Sequence, residues 1–109
     1  MAYLTIARIS GDPDRLLERY RESSDAMAEV GRDYGLILHT AARTAAGIML
    51  VNLWESREGS EGAAADPRRA VELRRSELRP EQIHKEHHDV ENHVVAQAAG
   101  TATATNVKA

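Results

Sequence analysis

Two apolar runs, residues 36–42 and 47–54, stand four residues apart. The connection Arg43-Thr44-Ala45-Ala46 is short enough to join them as an antiparallel hairpin. Neither run alternates: Leu36, Ile37 and Leu38 are consecutive, as are Ile48, Met49, Leu50 and Val51. A strand with one wet face alternates apolar and polar residues, whereas an unbroken apolar run needs cover on both faces. The chain must therefore place helices on one side of this hairpin and find a second layer for the other.

The flanking segments supply the first layer. Residues 3–9 read as a strand closed by Ser10-Gly11-Asp12. Asp12-Pro13 and Asp66-Pro67 both read as helix starts, with a carboxylate to accept orphan N–H groups and a proline at the first helical position. Leu16, Leu17, Tyr20, Met27 and Val30 recur at helical spacing after the first start, and Gly31 or Gly35 closes that helix. Residues 56–65 contain Gly59 and Gly62 and read as a loop or a broken turn. The helix after Pro67 is expected to turn Ala70, Val71, Leu73 and Leu78 inward and to end before Pro80. A last strand falls within residues 83–95, in its later part from about His87.

The order is β-α-β-β-α-β, an α+β, ferredoxin-like arrangement with an antiparallel sheet. Strands one and three are then central, with strand four beside strand one. Residues 1–95 form one domain, and residues 96–109, mostly Ala and Thr, are expected to be a flexible tail. Two helices shield one face of four strands. The expected cover for the other face is a second copy, giving a two-fold homodimer whose interface includes the segment from His87 to Val95.

Composition narrows the function. The net charge of −3 and the scarcity of aromatics, one Trp and three Tyr without Phe, disfavour a nucleic-acid surface. A flat ligand meets mostly aliphatic walls, which makes Trp54 conspicuous. The absence of Cys excludes disulfides, thiolate nucleophiles and Cys-based zinc sites. No basic segment leads into a long apolar one, and no stretch approaches bilayer-spanning length, so a cytoplasmic location without membrane contact is expected.

His84, His87, His88 and His93 lie within ten residues, among Glu86, Asp89, Glu91 and Asn92. In a strand, His87, Asp89, Glu91 and His93 share one face and His88, Val90, Asn92 and Val94 the other. The second face is more apolar and is expected to point inward. That makes His88 a candidate general base and Asn92 a substrate contact. Alternate residues on a strand are about 6–7 Å apart, too far for one strand to close a metal site, so no metal is expected. His39, on the second strand, reads as a satisfied sheet residue.

Trp54-Glu55-Ser56 at a strand end, Asp66-Pro67-Arg68 at a helix start and Glu72-Leu73-Arg74 within that helix carry a family likeness. The chain resembles the antibiotic-biosynthesis monooxygenase superfamily of dimeric α/β barrels. Within it, the chain is most similar to the cofactor-independent enzymes that oxidise polyketide anthrones to quinones. The likeness covers the third strand to the second helix in sequence and the rest in layout. It implies a pocket between the sheet and its own helices, with the strand-three Trp, an Asn on the same strand and a helix-two Arg around substrate and oxygen. Trp54 and Arg74 match by position. The family Asn stands four residues before the Trp, where this chain has Leu50; Asn52, two residues before Trp54, keeps the same strand face. The family tyrosine soon after the Trp is missing, and Ser60 lies near its place.

The resulting expectation is a catalytic set of Asn52, Trp54, Arg74 and His88 lining one pocket, with Trp54, Asn92 and Tyr20 as substrate contacts. Asn52 would donate to a substrate oxyanion, Arg74 would supply positive charge, and Trp54 would stack and offer its N–H. The partners implied are a small aromatic, polyketide-like substrate and molecular oxygen. No cofactor is expected, since no Gly-rich dinucleotide loop follows strand one. Heme-degrading relatives use a helix-two histidine, and none lies between His39 and His84. A related cyclase or isomerase, or a non-catalytic dimeric binding or accessory module, fits the same fold. A cavity shared by Trp54, Asn52 and His88 favours catalysis over the accessory role.

Overall fold

The computed structural model describes residues 1–96. Strand β1 (Tyr3–Ser10) leads into helix α1 (Pro13–Asp33), and β2 (Leu36–Arg43) and β3 (Gly47–Trp54) form the expected hairpin. Helices α2 (Arg57–Ala65) and α3 (Pro67–Ser76) follow, then a short 3₁₀ turn (Pro80–Gln82) and β4 (Ile83–Asp89). The sheet is antiparallel throughout, in the order β2-β3-β1-β4. This is the ferredoxin-like arrangement, with β1 and β3 central as expected. The tail expected from residue 96 lies, apart from Ala96, outside the described residues.

The segment expected to be a loop is α2. Ser56 caps it, its side chain accepting from the Gly59 N–H at 3.0 Å. The glycines permit close approach rather than breaking the helix. A Cβ at Gly59 would sit 2.2 Å from the Tyr34 carbonyl oxygen, and one at Gly62 would sit 2.7 Å from the Tyr34 ring. The two Asp-Pro starts also differ. Asp12 occupies the N-cap of α1 without a side-chain capping bond, whereas Asp66 accepts from the Arg68 N–H at 2.8 Å. Asp66 is buried at the α2–α3 junction, where the Arg68 guanidinium and the Tyr34 hydroxyl also donate to it. These bonds, led by those from Arg68, hold its carboxyl well below the usual carboxylate range.

The helices pack on one sheet face, where two core clusters form. Tyr3, Val30, Trp54 and Ala63 make one, flanked by Tyr34 and Leu36. Ile9, Leu16 and Ile48 make the other, with Leu17, Tyr20, Leu50, Leu78 and Ile83 against it. The expected inner side of α3 is corrected in part: Ala70 is exposed and Val71 is 42% exposed, whereas Leu73, 38% exposed, does turn toward the sheet and Leu78 joins a cluster. The residues α3 turns toward the sheet include the polar Arg69 and Glu72.

The opposite sheet face carries Leu4 and Ile6 of β1, Met49, Val51 and Leu53 of β3, and Leu38 of β2, which is 55% exposed. It has the apolar character anticipated from the unbroken runs. Among the described residues, no helix is long and apolar enough to cross a membrane.

Candidate functional site

A cavity of about 300 Å³ lies between the sheet and the helices, lined by residues of both core clusters. One register row crosses its floor. His39 of β2 pairs with Asn52 of β3, Asn52 with Thr5 of β1, and Thr5 with His87 of β4. All four line the cavity.

The β2 end of this row joins Tyr20 of α1. The Tyr20 hydroxyl lies 2.5 Å from His39 Nε2, and His39 Nδ1 lies 2.5 Å from Asn52 Oδ1. The Asn52 carbonyl only accepts, so Nδ1 carries the proton, and Nε2 is left to accept from the Tyr20 hydroxyl. The Tyr20 and His39 rings stack, with centroids 5.7 Å apart and planes 20° apart. Burial raises the Tyr20 pKa, so its phenol keeps its proton unless the transfer to His39 is coupled to another. The Asn52 amide uses its oxygen on His39, leaving its NH₂ as the donor side.

Trp54 packs in the core at 7% exposure and also lines the cavity. Its Nε1–H donates to Thr5 Oγ1 at 3.1 Å. The expected role of that N–H as a donor to substrate is therefore corrected, because Thr5 occupies it. His87 stacks on Tyr3 with centroids 6.0 Å apart.

Of the expected set, Asn52, Trp54 and Tyr20 meet in this cavity, and three residues do not. Strand β4 runs Ile83–Asp89, ending before Val90 and Asn92. Its pairing with β1 turns Ile83, Lys85 and His87 inward and His88 outward, opposite Leu4 on the other sheet face. There His88 is exposed, 3.7 Å from the Glu86 carboxylate. Asn92 is exposed beyond the strand. Arg74 is exposed and lines, with Glu77 and Pro80, an adjoining depression that shares Leu73, Leu78, Ile83 and Lys85 with the cavity. The α3 arginine that reaches the cavity is Arg69, alongside Glu72, Leu73 and Ser76 of the same helix. Among the described residues, no group of three or more His, Asp or Glu is placed to hold a metal ion.

His39, Arg69, Lys85 and His87 are among the polar cavity residues that sequence reasoning left out. His39 depends on a β-bulge. Leu36 pairs with Trp54, but Leu38 pairs with Leu53, a one-residue slip. Without it Leu38 would oppose Asn52; with it His39 does.

No family profile matches the sequence, and no curated protein matches it. Solved structures do. A dimeric ferredoxin-like protein of unknown function from Jannaschia sp. CCS1 superposes with a TM-score of 0.66 at 10% identity, covering 83% of this chain and all of that one. The monooxygenase ActVA-Orf6 of Streptomyces coelicolor, in complex with nanaomycin D, gives 0.62 at 14% identity, covering 88% of this chain and 92% of that one. A mutant of SnoaB, a cofactor-independent oxygenase from Streptomyces nogalater, gives 0.57 at 14% identity, covering 85% and 94%. The chain thus has the ferredoxin-like fold of these proteins.

Proposed function

We propose that this protein is a cofactor-independent monooxygenase that binds a phenolic aromatic substrate in the cavity, removes a proton from it and passes it to molecular oxygen. The hydrogen-bonded chain Tyr20–His39–Asn52 on the cavity carries this reading. The likeness in fold to ActVA-Orf6 and SnoaB supports it.

The chain has the order of an activated acid–base unit: a group facing the substrate, a base, and a residue that orients the base. A substrate proton moves to the Tyr20 oxygen while the Tyr20 proton moves to His39 Nε2. The resulting imidazolium keeps its Nδ1–H on Asn52 Oδ1. No free tyrosinate forms, in keeping with the raised pKa of Tyr20. The Asn52 NH₂ donates to the developing substrate oxyanion. The imidazolium returns its proton to the hydroxide released when the carbonyl forms, which leaves as water.

The anion of an anthrone-like substrate is electron-rich enough to reduce oxygen directly. The balance is R₂CH₂ + O₂ → R₂C=O + H₂O, with one oxygen atom entering the ring system and the other leaving as water. The protein supplies deprotonation, orientation and a low-polarity cavity, and no electron carrier is needed.

An oxygen electrode with a panel of anthrones and naphthols tests the activity. Catalytic protein should consume one O₂ per quinone formed, in buffer treated with chelator. Binding of the panel without oxygen uptake would favour the accessory-module reading.

The proposed assembly is a homodimer through the apolar sheet face around Leu38, Val51 and Ile6. Its support is that face, together with the dimeric state of the Jannaschia protein. Sedimentation equilibrium at micromolar concentration should give twice the chain mass, and Leu38→Asp should move the protein toward monomer. A monomer mass for the unsubstituted protein contradicts the assembly.

A further inference from the structure

We propose that helix α3 is the lid of the cavity, hinged at Asp66, latched at its far end by Arg19, and opening between Leu78 and β4 to admit a ligand. The proposal rests on the reading of the cavity as a ligand site and adds how that site is opened. It does not depend on the oxygen chemistry.

Helix α3 lies over the cavity and packs chiefly against α1. None of its ten residues is buried. An element that buries so little apolar surface opens locally at low cost. Its two ends are held by polar contacts of unequal strength. At the first turn, the buried Asp66 carboxylate accepts from the Arg68 backbone N–H at 2.8 Å and from the Arg68 guanidinium at 3.0 and 2.9 Å. It also accepts from the Tyr34 hydroxyl at 2.9 Å, and Arg68 reaches Asp33 of α1 at 2.9 Å. Breaking these bonds would leave a buried carboxylate without its donors, so this end is the hinge. At the last turn the link to α1 is Arg19, which donates to the Ser76 carbonyl at 3.1 Å and reaches the Glu77 carboxylate at 3.4 Å. The Glu77 side chain is 74% exposed, and an exposed ion pair is weak and screened by salt. Glu77 is also the left-handed C-cap, with φ 58° and ψ 20°, where the chain turns out of the helix.

The mouth lies at the latched end. The depression outside the cavity shares Leu73, Leu78, Ile83 and Lys85 with it. Leu73 belongs to α3 and Leu78 follows it closely, whereas Ile83 and Lys85 belong to β4. These two pairs form the partition between cavity and depression. Lifting the far end of α3 draws the leucines away from β4 and joins the cavity to the depression and so to solvent.

Trp54, the one tryptophan of the chain, lines the cavity and reports occupancy by fluorescence quenching. Stopped-flow mixing with 1-hydroxyanthraquinone gives the entry rate, and dilution of the complex gives the release rate. A latch holds the lid shut over a full and an empty cavity alike, so its loss speeds entry and release together. A lost ligand contact would instead change mainly release. Arg19→Met keeps the side-chain stem and removes the latch. It is expected to raise both rate constants about tenfold and to leave Kd unchanged. Glu77→Gln alters an exposed residue off the cavity and tests the latch without disturbing the core. It is expected to raise both rates about twofold, and to add nothing in the Arg19→Met background. Unchanged rates in both variants, a change in release alone, or no binding of the quinone overturns the lid. Faster entry and release at constant Kd in a protein that consumes no oxygen supports the lid and refutes the oxygenase reading alone. Unchanged rates in a protein that does consume oxygen refute the lid alone.

Discussion

His39→Phe is expected to lower oxygen uptake with a responsive anthrone by about a hundredfold or more, the usual loss when one positioned acid–base group is removed. The substitution keeps a ring in the stack with Tyr20 but removes both nitrogens of the relay. His39→Gln separates chemistry from positioning. Glutamine can still hydrogen-bond in this region, but it takes up no proton at neutral pH, so its turnover should fall about as far as that of His39→Phe. Steady-state kinetics on both variants decide the matter. Full activity in His39→Gln would show that His39 only orients its neighbours. Asn52→Ala should lower turnover with little loss of folding, because it removes the oxyanion donor and leaves Trp54 packed.

The largest effect on stability is expected at Trp54. The side chain is 7% exposed and packs with Tyr3, Val30 and Ala63, so Trp54→Ala leaves a void in the core as well as a larger cavity. Large-to-small changes of this kind cost about 3–5 kcal/mol. The substitution also removes the donor held by Thr5 Oγ1. Urea unfolding at one fixed protein concentration measures the loss, since a dimer's apparent stability depends on concentration. A cost below about 1 kcal/mol would mean the ring is not part of the core. Trp54→Phe should recover much of the stability, since it restores most of the buried ring.

The fold was legible because its signals are local and repeated. The hairpin followed from two apolar runs with a short connection, both helix starts from Asp-Pro, and the topology from element order. The pocket and the place of Trp54 and Asn52 on it were implied by the family resemblance; strand periodicity added only that the two share a face, and helical spacing that Tyr20 lies on the inner side of α1. Three features were not local. The bulge in β2 that brings His39 beside Asn52 has no residue signature in Leu36-Ile37-Leu38. The inward face of β4 was inferred from Val90 and Val94, which lie beyond its end; its actual parity comes from pairing with β1, which aims His87 inward and His88 out. Helix α3 was given an apolar inner side, yet it turns Arg69 and Glu72 toward a cavity. A polar inner face breaks the usual amphipathic rule, and such breaks concentrate where a ligand binds. Gly59 and Gly62 misled in the opposite way: they read as helix breakers, but they let α2 approach Tyr34 closely.

The central claim is that the cavity takes a proton from its ligand through Tyr20 and His39. It is tested most directly by anaerobic titration of the protein with a phenol whose anion absorbs at longer wavelength, at a pH below the phenol's own pKa. The predicted result is the anion spectrum growing to a one-to-one endpoint with the unsubstituted protein and staying absent with His39→Gln. A bound ligand that keeps the spectrum of its neutral form in the unsubstituted protein would contradict the account.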